Sequence, residues 1–323
     1  MAEKLKFAVY WATSCGGCDV AIVDLCEDIL SVVEVADIVF WPCALDFKYK
    51  DVEAMEDKSI DVCLFNGAIR NSDQEKVAKL LREKSKTVVA FGSCACFGGI
   101  PGLANFTNRE EIFKSSYQET PSTNNPENTL PQTSHNAPEG ELTLPEFYNT
   151  VSVLGDVIKA EYLLPGCAPP KELIMTAVNA IVKGELPPVG STIAGVKTLC
   201  DECDREKGEK KIKEFIRPDK IKPDPKKCFL DQGILCLGPV TRSGCGQRCI
   251  NANMPCRGCF GPSDYVHDMG AKILGGITSI IDSNDEEEIK KLTDQIVDPA
   301  GTFYRFTLPY SLLKRKIMKK EEV

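Results

Sequence analysis

Residues 6–19 read KFAVYWATSCGGCD. Lys6 to Ala12 is an apolar run of strand length, Thr13 to Cys18 is a turn with two glycines and two cysteines, and Asp19 to Leu30 carries apolar residues at helical spacing. The stretch therefore predicts a buried strand that runs through a cysteine-bearing turn into a helix. The same unit recurs downstream. Strands are predicted at Val35 to Phe40, Ile60 to Phe65, Thr87 to Phe91 and Ala160 to Leu164, with helices at Asp73 to Lys84 and Pro170 to Lys183. Strands alternating with helices predict an α/β fold, a doubly wound parallel sheet of the flavodoxin-like kind.

Composition limits what such a fold can be doing. The chain has 323 residues, 43% of them hydrophobic, enough for one large core or two modest ones and incompatible with disorder or a collagen-like repeat. Its formal net charge of −8 gives no general attraction to nucleic acid or to an anionic membrane, and neither is expected as a partner. Met1 to Lys6 lacks a secretory pattern, and no run approaches the roughly 20 apolar residues of a membrane span, so a soluble, cytoplasmic protein is expected. The anomaly is sulfur. Only two histidines, His135 and His267, accompany sixteen cysteines. In a reducing compartment that number points to metal ligation rather than disulfides.

Four cysteines fall on one edge of the predicted sheet. Parallel sheets gather ligands beyond the carboxyl ends of their strands, where loops converge and helix N-termini aim their amides outward. Cys15 and Cys18 follow the first strand, Cys94 follows Thr87 to Phe91, and Cys167 follows the last strand. Glycines at 16, 17, 92, 98, 99 and 166 let backbone approach a bulky inorganic group. Four thiolates without histidine fit a 4Fe-4S cluster. The competing reading of Cys15-Gly-Gly-Cys18, a thioredoxin-like dithiol, leaves Cys94 and Cys167 unexplained. Cys96, two residues after Cys94, is a rival ligand, whereas Cys26, Cys43 and Cys63 lie in or beside apolar stretches and read as small buried thiols; all four are taken as structural.

After Pro187-Pro188 regular periodicity fades and cysteines crowd. The boundary is placed between 184 and 185, giving a first domain, 1–184, and a smaller irregular domain, 185–323, in which metal supplies much of the stability. Cys200, Cys203, Cys228, Cys236, Cys245, Cys249, Cys256 and Cys259 make two four-ligand sites whose partition spacing alone does not fix. Two zinc ribbons would use the same residues, and a zinc-stabilised binding protein is the alternative of a different class. Val196 to Pro262 carries a net charge of +5 against −13 for the remainder. Lys226, Lys227, Arg242, Arg248 and Arg257 would offset a thiolate-bound centre of either metal, and a nucleic-acid patch is the weaker reading because aromatic residues are sparse. Ser115 to Pro145, rich in Asn, Thr, Ser and Pro, reads as a surface excursion. A short helix is expected at Asp285 to Ile296. The basic end, Lys314-Arg315-Lys316 with Lys319-Lys320, reads as a solvated or partner-docking strip rather than a membrane anchor.

With these motifs in hand, the chain resembles the small, electron-transferring subunit of NiFe hydrogenases over nearly its whole length. Cys15-Gly-Gly-Cys18, Gly92-Ser93-Cys94-Ala95 with Gly98-Gly99, and Leu164-Pro165-Gly166-Cys167 with Pro169-Pro170 are similar to three motifs of that family. Cys236-Leu-Gly-Pro239 and Pro255-Cys256-x-x-Cys259 are similar to a fourth and fifth. The resemblance implies three 4Fe-4S clusters: proximal on Cys15, Cys18, Cys94 and Cys167; medial on Cys245, Cys249, Cys256 and Cys259; distal on Cys200, Cys203, Cys228 and Cys236. Cys200-x-x-Cys203 stands where many members have His-x-x-Cys. Cys249 stands where many have proline and a three-iron cluster.

The resemblance is strongest to the cytoplasmic methanogen branch, the viologen-reducing hydrogenase that does not use the deazaflavin coenzyme. The deazaflavin-reducing hydrogenase is the near alternative. It implies an oxidoreductase subunit with the nickel-iron site on a partner large subunit, and electrons leaving through a ferredoxin-like subunit to heterodisulfide reductase. No residue of this chain is expected to cleave H2. Asp19, beside Cys18, reads as a helix-cap carboxylate before a cluster hydrogen bond or a proton exit.

Overall fold

In the computed structural model, which describes residues 4–209 and 211–315, five parallel strands form the central sheet: β1 (Leu5–Trp11), β2 (Ala36–Phe40), β3 (Ile60–Asn66), β4 (Ser85–Phe91) and β5 (Tyr162–Leu164). Their order is β2-β1-β3-β4-β5, the flavodoxin-like arrangement. Register is set by burial on both faces. Phe7 and Val9 of β1, Val62 and Leu64 of β3, and Val89 and Phe91 of β4 enter one apolar layer. The alternate residues Ala8 and Tyr10, Cys63 and Phe65, and Val88 and Ala90 enter the other. Two covered faces explain why these strands read as continuous apolar runs.

The helix Ser72–Lys84 covers the second layer with Val77, Ala78 and Leu81, and Asn71 caps it by accepting the Gln74 N–H at 2.9 Å. The helix Lys171–Lys183 covers the first with Ile174, Ala177 and Val178, and the preceding Pro170 is its cap residue. The single helix expected from Asp19 to Leu30 is two, Gly17–Val23 and Asp28–Val35. Between them Leu25 is pulled into the core, the ladder changes to three-residue steps, and Cys26 takes a positive φ of 54°.

Beyond β5 the chain still serves the sheet: the Ile193 N–H donates to Leu163 O at 2.7 Å, and Ile193 packs in the first apolar layer. The part rich in cysteine has two apolar groups of its own. One holds Leu237, Met269, Ile273, Phe303 and Leu308; the other holds Leu199, Ile212, Phe229, Ile234 and Ile250 together with Cys236 and Cys256. Helices Met269–Thr278 and Pro299–Phe303 escaped the sequence reading, the first because its glycines dilute the apolar pattern. The expected helix near its end is shorter, Glu286–Thr293, capped by Asp285. Ser115 to Pro145 is mostly exposed and contains a hairpin, Ser134–Ala137 with Gly140–Thr143.

The end of the described chain returns to the sheet. Gly99 N–H donates to Phe306 O at 3.1 Å, the Phe97 and Tyr310 rings meet edge to face at 5.3 Å, and Lys314 pairs with Asp156 at 3.2 Å. Met1 to Glu3 and Lys316, Lys319 and Lys320 lie outside the described residues. Among those described, no helix is long and apolar enough to cross a membrane.

Candidate metal centre

All sixteen cysteines are free thiols. Three loops at the carboxyl edge of the sheet bring the first set together. Cys15 stands between β1 and the helix Gly17–Val23, Cys18 is in the first turn of that helix, Cys94 is in the short helix Ser93–Phe97 after β4, and Cys167 follows β5. Cys18 lies beside Cys94 and Cys167, and both of those lie beside Cys15, close enough for each to disfavour ionisation of the next. Burial is the larger cause. It pushes the Cys94 thiol up to about 12, and Cys18 further.

The second and third sets gather on either side of Cys236–Cys256. Cys200, Cys203, Cys228 and Cys236 line one cleft with Leu199, Phe229 and Ile250. Burial first, then neighbouring thiols, raises Cys200 to about 12, and Cys236 is raised to about 11. Cys245, Cys249, Cys256 and Cys259 line a larger cavity of about 580 Å³ that also receives Cys167. Cys259 faces Cys167, Cys249 and Cys245, whereas Cys256 faces Cys236 and Cys259. Among the described residues no three His, Cys, Asp or Glu side chains close in as the ligands of one metal ion.

The surroundings of these thiols fit a bulky inorganic group. A Cβ on Gly92 would lie 2.3 Å from the Cys18 sulfur at a φ of +84°, and one on Gly238 would lie 3.2 Å from the Cys200 sulfur, so backbone comes as near the sulfurs as it can. Backbone N–H groups reach sulfur as well: those of Gly238 and Cys256 donate to Cys236, and those of Gln247 and Arg248 to Cys245. Donors of this kind stabilise a thiolate, and buried thiols held neutral by their neighbours lose their protons only to a strong cation.

Several expectations about neighbouring residues are corrected by the tertiary contacts. Asp19 caps nothing. It is buried in the first turn of Gly17–Val23, where its carboxylate accepts from Trp41 Nε1 at 2.7 Å, from Cys43 Sγ at 3.2 Å and from the buried Asn66 Nδ2. Asn66 Oδ1 accepts in turn from Ser14 Oγ at 2.8 Å, tying the Cys15 turn to the end of β3. Cys63 is buried as expected, Cys96 is buried with its Sγ donating to Ala90 O at 3.1 Å, but Cys26 and Cys43 are exposed. Partial desolvation and the Asp19 carboxylate raise Cys43 to about 11. Arg242 is consumed by Asp264 and by the carbonyls of Gly195 and Pro262, and Arg248 by Glu172 at 2.9 Å. Of the five expected cations, Arg248 and Arg257 line the cavity of Cys245, Cys249, Cys256 and Cys259, and Arg257 also faces Cys236. Lys207, not singled out from sequence, donates to Cys200 O at 2.6 Å. Its spacing from the Cys200-x-x-Cys203 pair was the available signal.

Comparison with known proteins gives this arrangement a family. A family profile described as the 20 kDa subunit of NADH ubiquinone oxidoreductase matches residues 15–181, a span that holds Cys15, Cys18, Cys94 and Cys167. The iron-sulfur subunit of an F420-non-reducing hydrogenase from Archaeoglobus profundus is 42% identical over 326 residues, covering 98% of this chain and 99% of its own length. A subunit of the F420-non-reducing hydrogenase from Methanothermobacter marburgensis is 36% identical over 325 residues, covering 99% of each. Among solved structures, an NAD+-reducing NiFe hydrogenase in the H2-reduced state has a chain 25% identical with a TM-score of 0.50, covering 57% of this chain and 94% of that one.

Fold and matches together define a subunit of an oxidoreductase of the 20 kDa class. Within that class the chain belongs to the small-subunit family of NiFe hydrogenases, in the branch of the F420-non-reducing hydrogenases.

Proposed function

We propose that this chain carries electrons from H2, oxidised on a partner large subunit of a NiFe hydrogenase, to a ferredoxin-like subunit and on to heterodisulfide reductase in the cytoplasm, without membrane or nucleic-acid partners. Cys15, Cys18, Cys94 and Cys167 would hold a proximal 4Fe-4S cluster, Cys245, Cys249, Cys256 and Cys259 a medial one, and Cys200, Cys203, Cys228 and Cys236 a distal one. Bound there, such clusters supply reversible one-electron acceptance. The chain supplies the thiolates, the N–H donors that stabilise them, and apolar walls that keep water away. We propose a domain boundary between 184 and 185.

One observation carries this reading: the three sets form an unbroken row. Cys167 of the first faces Cys259 of the second, and Cys256 of the second faces Cys236 of the third. The Cys167 N–H donates to the Cys259 sulfur and the Cys256 N–H to the Cys236 sulfur. Exposed Trp11, Val20 and Ile100 beside the first set offer the large subunit an apolar landing. The naming of the two relatives supports the non-reducing branch over the deazaflavin-reducing one.

Anaerobic isolation followed by metal and acid-labile sulfide analysis tests the proposal. About twelve irons and twelve sulfides per chain are expected, together with a nickel-containing companion. A colourless chain with zinc and no sulfide would overturn it.

A further inference from the structure

Near the row of thiols, a second cavity of about 330 Å³ is lined by three guanidinium groups, those of Arg217, Arg257 and Arg305. Among the described residues the only acidic side chain in its wall is Asp298, whose carboxylate is turned to the start of the helix Pro299–Phe303, where it accepts the Gly301 N–H at 3.0 Å. The wall therefore has two positive charges in excess. Arg217, exposed at the rim, pairs with Asp219 at 3.2 Å. Arg257 and Arg305, both half-buried, have no hydrogen bond or ion pair among the described residues, and the Arg305 Nε is buried without an acceptor.

Like charges packed half-buried around an opening raise the free energy of the molecule unless something negative sits between them. Guanidinium forks match the oxygens of carboxylates and phosphates in spacing and plane. We propose that this cavity binds a small, multiply charged oxyanion of the phosphate class. Its size is at the lower end of small-molecule sites, which suits a compact anion rather than a protein segment. Arg257 lies between Cys256 and Cys259 and faces Cys236 and Cys249, so a bound anion cancels part of a positive field felt at two of the three thiol sets. The effect on those sets rests on the proposed clusters, whereas phosphate binding is read directly.

The test is equilibrium dialysis of labelled inorganic phosphate against the full-length chain and against the complex in which it is isolated, at constant ionic strength set with chloride. One saturable site per chain is expected in both. Arg305→Met is expected to weaken it about tenfold or more, the loss of a charge-assisted hydrogen bond. Arg217→Met, at the rim and tolerant of substitution, is expected to weaken it several-fold, and Lys76→Met, on the distant helix Ser72–Lys84, to leave it unchanged. Where iron is present, phosphate is expected to lower the midpoint of one or two of the reducible signals in the wild type and to do so less in Arg305→Met. Absence of saturation, or equal weakening by Lys76→Met, overturns the proposal. So does saturable binding to the isolated chain that vanishes in the complex, which would assign these arginines to a partner's acidic groups.

Discussion

The sheet and the cysteine-rich part of this chain hold themselves together in opposite ways. Around β1, β3 and β4 the apolar layers contain large rings and branched chains such as Phe40, Phe65, Phe91 and Leu81, all fully buried, and of the first four thiols Cys18 alone enters a layer while Cys15, Cys94 and Cys167 sit at the rim. In the later part, Cys236 and Cys256 are themselves members of an apolar core, with Cys203, Cys228 and Cys245 packed against it. There, candidate ligands and core are the same residues. A sheet with two covered faces folds by burial alone, whereas a core built partly of sulfur depends on what the sulfur binds.

Stripping metal from the protein is the strongest way to break this contrast. Hydrogen exchange of the apo chain is expected to collapse to the unfolded rate around residues 199–260 while the amides of β3 and β4 stay protected. Equal loss in both regions would remove the distinction. Phe65→Ala attacks the other side and is expected to cost about 3–5 kcal/mol in denaturant unfolding, because the ring leaves a cavity between β3 and its covering helix.

Two smaller changes sharpen the boundary between scaffold and site. Gly92→Ala, at a φ of +84° and against the Cys18 sulfur, is expected to cost about 1–3 kcal/mol. Its iron content is expected to fall by about one cluster in three, with sheet protection intact. Asp19→Ala leaves Trp41, Asn66 and Cys43 without their common acceptor and is expected to cost about 1–3 kcal/mol, with Asp19→Asn losing less.

Cys249→Pro is expected to disturb stability least. The residue lies in the first turn of Arg248–Asn251, where an N–H needs no partner within the helix. The expected readout is a three-iron signal of raised potential in place of one four-iron signal, and an unchanged spectrum would remove Cys249 from the proposed ligands.

Much of the sheet could be read in advance because its signal is local. Ile60–Asn66 and Ser85–Phe91 are apolar runs bounded by turn residues, and the glycines after them mark where backbone must come close. Less of the later region was legible: Met269–Thr278 has three glycines in ten residues, and its burial is decided by Tyr304 and Leu308 packing from later in the chain. Asp19 misled for a related reason. An acidic residue two places into a helix reads as helpful to its amides, yet Trp41 and Asn66, far away in sequence, claim it.

Sequence by itself determined the alternation of strand and helix, the placing of four cysteines at strand ends and the concentration of eight more in one segment, because strand length, turn chemistry and residue type act over a few neighbours. Only tertiary structure decided that Cys167 meets Cys259, that Cys256 meets Cys236, that Asp19 joins β3 to the first cysteine turn, and that three arginines share one cavity. Such meetings join residues separated by tens of positions. They follow from the best burial of the whole chain at once, which no short window of residues contains.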